Sequence, residues 1–265
     1  MGRKSVYRYY MFGFNYHILL RSGAFTNQRL LSALDDYYGF LEELDLPVTL
    51  SGVSLKSLAQ EHDELRKAAG DATTSKEKAD KDLLGRIQKK LNEIDNILDA
   101  ELGNKVAYVP SEKRYPLRLL LDDCGKLLAE GVYDSLPKVA KYDFTECCTC
   151  LALDRYTASA FHVLRGTEDV LKLYCAKLLN KAPSDRETWG TYLKVITSAV
   201  KGGNLKPEPP EELMLNLESL RKYYRNRTQH PTMIYSSDEA QDLVSLCIKS
   251  VNEIVKDLKK RKLVP

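Results

Sequence analysis

The sequence predicts a mainly α-helical protein: a four-helix bundle over residues 141–265, preceded by a helical hairpin or coiled-coil-like region over 1–104 and a connector over 105–140, with at most one or two short strands. Three observations carry that prediction. Apolar residues recur at 3–4 spacing along most of the chain, which places them on one face of a helix. Two Ser-x-x-Glu capping boxes, Ser184 with Glu187 and Ser236 with Glu239, mark helix starts in the C-terminal half. Glycine and proline fall between the periodic runs, at Pro47, Gly103, Gly202-Gly203 and Pro207, Pro209 and Pro210.

Composition bounds the answer further. A chain of 265 residues with 43% hydrophobic content can bury one large or two small cores. Its 40 Lys and Arg against 37 Asp and Glu leave a net charge of +3, so any nucleic-acid footprint must be local rather than global. Of the six cysteines, Cys147, Cys148 and Cys150 crowd onto one expected helix and no export signal accompanies them, which predicts reduced thiols and a cytoplasmic location. Arg3, Lys4 and Arg8 precede Met11–Leu20, but Asn15, Tyr16 and His17 interrupt that run and no small-residue cleavage site follows. Nothing approaches the roughly 18 apolar residues of a membrane span, and Val6 breaks the myristoylation pattern at Gly2.

In chain order, the aromatic and partly alternating residues 5–18 suit a short strand or an extended arm. Leu30, Leu34, Tyr37, Leu41 and Leu44 predict a helix over 27–44 that Pro47 closes. A second helical tract starts near Ser54 with Leu55, Leu58, His62 and Leu65, lapses from Gly70 to Asp82, and resumes as Leu84, Ile87, Leu91, Ile94 and Leu98. The charges of this hairpin read as a solvated face, and His62 as a packed or boundary histidine. Lys105–Pro110 suits a short strand or extended crossover, and 111–142 mixes short helical pieces such as Leu117–Leu128 with turns at Gly131 and Pro137.

The bundle follows. One long helix is expected over Tyr142–Leu179, with Thr157, Phe161, Leu164, Glu168, Leu171, Cys175 and Leu178 on its stripe. A second starts at Ser184 and buries Trp189, Leu193, Ile196 and Val200; a third runs from Glu211 to Tyr224; a fourth starts at Ser236 and carries Val244, Cys247, Val251, Ile254 and Leu258.

Between the last two helices lies Arg225-Asn226-Arg227-Thr228-Gln229-His230-Pro231. Proline disfavours the helical region for the residue before it, so the third helix should end near His230. Positions five apart on a continuing helix point about 140° apart, whereas a broken last turn can bring the His230 ring back toward Arg225. Around the motif, Arg221, Lys222 and Arg227 with Tyr223, Tyr224 and Tyr235 form a local cationic, aromatic surface, although Tyr224 lies on the apolar stripe and is expected to pack. Arg155 and His162 have a similar separation, but on one uninterrupted helix they read as a polar edge or a hydrogen-bonded histidine. Glu168, an acid inside an apolar stripe, needs a partner, with Arg165, His162 or the Arg225 and His230 pair as candidates. The C-x-x-C spacing of Cys147 and Cys150 lacks a second Cys or His pair nearby in sequence, so no zinc site is expected.

A bundle of this length with Arg-Asn-x-x-x-His between its last two long helices resembles the HEPN family, the higher eukaryotes and prokaryotes nucleotide-binding domains. The stretch from Leu151 to Glu168 and the stretch from Tyr224 to Pro231 followed by Ile234-Tyr235 are similar to those of bacterial HEPN proteins. The resemblance covers about residues 140–260, more loosely 105–140, and none of 1–104. It implies a metal-independent endoribonuclease, a toxin or antiphage-defence effector, that places two motifs face to face across a homodimer. His230 would then move protons, Arg225 would bind the phosphate, and Asn226 would orient either the histidine or a phosphate oxygen. Arg221, Lys222, Arg227, Tyr223 and Tyr235 would hold RNA, with Glu168, Arg165 and His162 in support. RNA supplies its own nucleophile, so no cofactor and no metal are called for. An antitoxin or other regulatory protein is an implied partner; a membrane is not. Two alternatives stay open: a non-catalytic HEPN module that binds RNA or nucleotide or serves as a dimerisation scaffold, and a helical adaptor working through residues 27–104.

Overall fold

The computed structural model describes residues 6–21, 25–44, 46–51, 53–71, 74–106, 108–180 and 187–265. Among them regular structure is helical, and the one β-like contact is an isolated bridge between Thr26 and Lys78. The chain divides into two units, Met1–Tyr108 and Val109–Pro265.

The first unit contains α1 (Val6–Arg21), α2 (Asn27–Glu43), α3 (Pro47–Ser51), α4 (Val53–Gly70) and α5 (Lys81–Leu102). The strand or extended arm expected over residues 5–18 is instead the helix α1. Aromatic residues favour strands only as far as their neighbours let them pack, and here Phe12, Tyr16 and Leu19 follow helical spacing. Phe12 stacks on Phe40 with centroids 3.7 Å apart, and Tyr16 on Tyr37 at 5.6 Å. On α2 the predicted face is buried, and the Thr26 side chain caps the helix by accepting the Arg29 N–H. Pro47 does more than end that segment. It opens α3, at a position where its missing N–H costs nothing, and Glu101 accepts the next two backbone N–H groups, of Val48 and Thr49.

Helices α4 and α5 form an antiparallel hairpin in which Leu58 and Leu65 face Leu84, Ile87, Leu91, Ile94 and Leu98; the Leu55 side chain lies outside what is described. His62 is a boundary residue, its Nε2 2.7 Å from Asp35. One charge departs from the solvated face: the Glu61 side chain is 5% exposed and meets Lys90 at 2.5 Å and Arg86 at 3.6 Å. Lys105–Pro110 forms no strand over its described residues.

The second unit begins with α6 (Leu117–Asp122) and two 3₁₀ turns, Cys124–Leu127 and Tyr133–Ser135. This stretch, expected as a connector, contributes Leu120, Leu128, Val132 and Leu136 to the core. Then come α7 (Lys138–Ala152), α8 (Tyr156–Leu179), α9 (Trp189–Lys201), α10 (Glu211–Ser219), a π-helical segment Leu220–Arg225, α11 (Asn226–Thr228) and α12 (Ser237–Lys260). Helix α8 is central, with α7, α9 and α12 packed on it. Cys147, Cys148, Cys175 and Cys247 are buried packing residues, and no described helix is long and apolar enough to cross a membrane.

The single helix expected over Tyr142–Leu179 is therefore two. Asp154 takes the left-handed conformation, φ 58°, which aspartate tolerates better than most residues. Its carboxylate accepts from Ser111 and Tyr156 and pairs with Lys113. No glycine or proline marks the break, so the apolar periodicity reads straight through it. The Ser184 half of one expected capping box lies outside the described residues; Glu187 and Thr188 are not helical, and α9 starts at Trp189. The Ser236 and Glu239 box is present in full at the start of α12.

Candidate functional site

The motif sits where α10 changes pitch. Through Leu220–Arg225 the backbone bonds five residues apart, as in Asn226 N–H to the Arg221 carbonyl, and such π turns recur at functional sites. The helix then stops at Thr228, close to where Pro231 requires, and turns through bonds from His230 N–H to the Arg227 carbonyl and from Met233 N–H to the His230 carbonyl. Two pins fix this turn. Buried Thr228 donates its hydroxyl to the Tyr224 carbonyl at 2.8 Å and lies 2.7 Å from the Tyr235 hydroxyl. The Tyr235 N–H donates to Thr157 on α8 at 3.1 Å.

Arg225 reaches across to α8. Its Nε and guanidinium amine lie 3.4–3.5 Å from the Glu168 carboxylate. Glu168 also accepts the Trp189 N–H at 2.8 Å, which satisfies the first backbone donor of α9. The expectation that Glu168 needs a partner is thus met by Arg225. Glu168 is half-buried at the helix edge rather than in the core stripe, where the buried residues are instead Val163, Leu164, Thr167, Val170 and Leu171.

An open groove of about 460 Å³ runs along this pair, lined by Phe161, His162, Leu164, Arg165 and Glu168 of α8 with Arg225 and Gln229. His162 and Arg165 share a different acid. The His162 Nδ1 is 2.9 Å from one oxygen of Asp143 on α7, and Arg165 grips both oxygens at 2.5 and 2.7 Å. Asp143 is fully buried. Its hydrogen bonds push the Arg165 guanidinium above its ordinary value. The groove is therefore lined by the Arg225–Glu168 pair beside Arg165 and His162, both of which the buried Asp143 holds. Two cationic forks, Arg165 and Arg225, thus line one groove, each already held by a carboxylate.

The remaining site residues distribute unevenly. Asn226, Arg227 and His230 are exposed, and among the described residues the His230 imidazole has no hydrogen-bond or ion-pair partner. The broken turn does not fold His230 back onto Arg225, because Arg225 is drawn to Glu168 and His230 does not line the groove. Arg221 forks onto Glu218, and that bond holds the Glu218 carboxyl below its usual range. Tyr223 is 54% exposed with the Lys222 ammonium 5.1 Å from its ring centre, whereas Tyr224 packs against the core as expected. Tyr235 is a correction: at 3% exposure it is a core residue that anchors the motif, not a surface on which a base stacks. Arg155 and His162 do not share one uninterrupted helix either, since Arg155 is the N-cap of α8.

Asp143, Thr228 and Gln229 join the site without having been singled out in the sequence. Asp143 lies 19 residues before His162 on another helix, beyond any local spacing rule. Its position within the buried series Ala140, Asp143, Phe144 and Cys147 was the available signal. No protein-family model, curated protein or solved structure gives a significant match to this chain.

Proposed function

We propose that this chain is a metal-independent endoribonuclease of the HEPN type, a toxin or antiphage effector whose site is completed when two copies bring Arg225, Asn226 and His230 together across a two-fold axis. The observation that carries the reading is the disposition of the pair. Arg225 lies in an open groove on a long ion pair, while His230 is exposed outside that groove, an arrangement that a second chain would complete.

In the reaction, the ribose 2′-hydroxyl attacks the adjacent phosphorus as one imidazole accepts its proton, forming a 2′,3′-cyclic phosphate; a proton returned to the departing 5′-oxygen completes the step. Arg225 exchanges its long contact with Glu168 for two parallel bonds to the phosphoryl oxygens as their charge grows. Lys222 and Arg227 supply charge along the backbone, and exposed Tyr223 a face on which a base can stack.

A second reading, an HEPN module that binds RNA or nucleotide without cutting it, draws on the same ion pair, because within one protomer Arg225 and His230 do not share a groove. Incubation with RNA in the presence of chelator separates the two. Cleavage by the wild type that disappears in Arg225→Ala and His230→Ala, from a protein of dimeric solution mass, is the expected result. A wild type that binds RNA without cutting it establishes the second reading, and cleavage undiminished in both variants removes the assigned site.

A further inference from the structure

We propose that Glu146, Cys150 and His162 form a transition-metal site, with zinc as the fitting ion. A carboxylate oxygen, a thiol sulfur and an imidazole nitrogen of these residues lie within 4.8 Å of one another. Around a zinc ion with bonds of about 2.0–2.3 Å, tetrahedral ligand atoms stand roughly 3.5 Å apart. Side-chain rotation of partly exposed residues closes that difference. Glu146 and Cys150 are one turn apart on the same face of α7.

The third ligand arrives only because the helix is broken. Along one continuous helix, His162 would stand about 18 Å from Cys150. Left-handed Asp154 and the bond from Arg155 N–H to the Cys150 carbonyl, 2.8 Å, instead fold α8 back along α7. The C-x-x-C spacing points to a different pair: buried Cys147 contacts Ser159 at 3.3 Å, and the ligand group takes Cys150 without it.

The donor set selects the ion. Magnesium and calcium take oxygen ligands, whereas thiolate with imidazole and one carboxylate favours zinc among the available divalent ions. Three protein ligands leave a fourth position for water or an exogenous ligand. The outer shell is already built. The His162 Nδ1 faces Asp143, itself gripped by Arg165, so with the proton on Nδ1 the Nε2 lone pair is the one presented to an ion. This carboxylate–histidine–metal arrangement sets the ring orientation of many zinc ligands. The site stands independently of RNA cleavage, and its readout is metal binding itself.

The test uses the full chain, reduced, stripped with chelator and titrated with Co²⁺ alone, then with Zn²⁺. One Co²⁺ per chain, with a thiolate-to-cobalt charge-transfer band that one equivalent of Zn²⁺ abolishes, is expected. Cys150→Ser should lose that band, His162→Ala should weaken binding at least tenfold, and Asp143→Asn should weaken it about 10–100-fold. Cys124→Ser should bind like the wild type, with helical circular dichroism checking the fold of each variant. Absence of saturable micromolar Co²⁺ binding overturns the site, as does a charge-transfer band that survives in folded Cys150→Ser. Should His162→Ala fail to fold, the isosteric Cys150→Ser decides alone.

Discussion

Glu168 holds Arg225 through three nitrogen–oxygen contacts of 3.4–3.5 Å, and the same carboxylate takes the Trp189 N–H at 2.8 Å. The short bond is structural and the long pair exchangeable. A partly exposed ion pair of this kind is worth about 0–1 kcal/mol, little enough for an incoming phosphate to displace.

Replacing Glu168 by Gln should therefore keep the acceptor for Trp189 and release the guanidinium. RNA affinity, read by fluorescence anisotropy of a labelled strand at low salt, should rise several-fold while thermal stability changes little. Glu168→Ala should in addition lose about 1 kcal/mol, because it leaves the first N–H of α9 unsatisfied. Unchanged RNA affinity in Glu168→Gln would show that the carboxylate does not compete with phosphate.

Tyr235 and Tyr223 should separate cleanly. Tyr235→Phe removes one buried hydroxyl contact with Thr228 and should cost about 1 kcal/mol, with faster amide exchange over residues 226–235. Tyr223→Ala, at an exposed position, should leave stability unaltered and weaken binding of single-stranded RNA by about 1–3 kcal/mol if a base stacks there. Equal effects of the two variants on RNA binding would contradict the separation.

Cys124 should be the most reactive thiol. A hydrogen bond from the Cys148 thiol is the main cause that pulls Cys124 down to about 6, while the contacts with Cys124 and Cys147, and then burial, push Cys148 up. The thiolate is the nucleophile, so labelling by iodoacetamide should map to Cys124, climb as pH passes 6 and level off above it. Because the folded value lies below the ordinary 9.0, the stabilising contribution is present above about pH 9 and is lost as pH falls toward 6. Mass mapping of the labelled peptide checks this, and first labelling at another cysteine would refute it.

The hairpin of the first unit should be acid-sensitive through Glu61. Burial pushes this carboxyl up, but the bonds from Lys90 and its own backbone, with the charges of Lys90 and Arg86, outweigh it and hold the group below 4.5. Its contribution to stability is present above that value and is lost as pH falls through the depressed one. Lys90→Met should destabilise the unit by about 1–3 kcal/mol, since it removes the shortest bond to the buried Glu61 carboxylate while Arg86 still faces it. Lys90→Met should also flatten the acid limb of unfolding followed by circular dichroism; an unaltered limb would assign the sensitivity elsewhere.

The helices carrying these groups were legible in the sequence where one face repeats without interruption. Leu30 to Leu44, Leu84 to Leu98 and the run from Val244 to Leu258 are buried as their spacing requires. What was not legible follows from two physical facts. Aromatic residues such as Phe12 and Tyr16 fit strand and helix alike until their stacking partners Phe40 and Tyr37 are in place. A break made by Asp154 rather than by glycine or proline leaves the apolar period intact. That break also hid the groove, since the contact of His162 with Asp143 depends on α8 doubling back. The end of the third helix was readable locally from Pro231, but the inward turn of Arg225 depended on Glu168 lying 57 residues away.

The π segment Leu220–Arg225 holds one residue more per turn than the helix on either side. It acts as a phase-setter for everything downstream. Regularising it to ordinary α geometry with all six residues kept would rotate Arg225 by about 90° about the axis, swinging it off Glu168 while leaving composition and net helicity untouched. The address of the groove is thus written in the count of residues in one turn as much as in their identity.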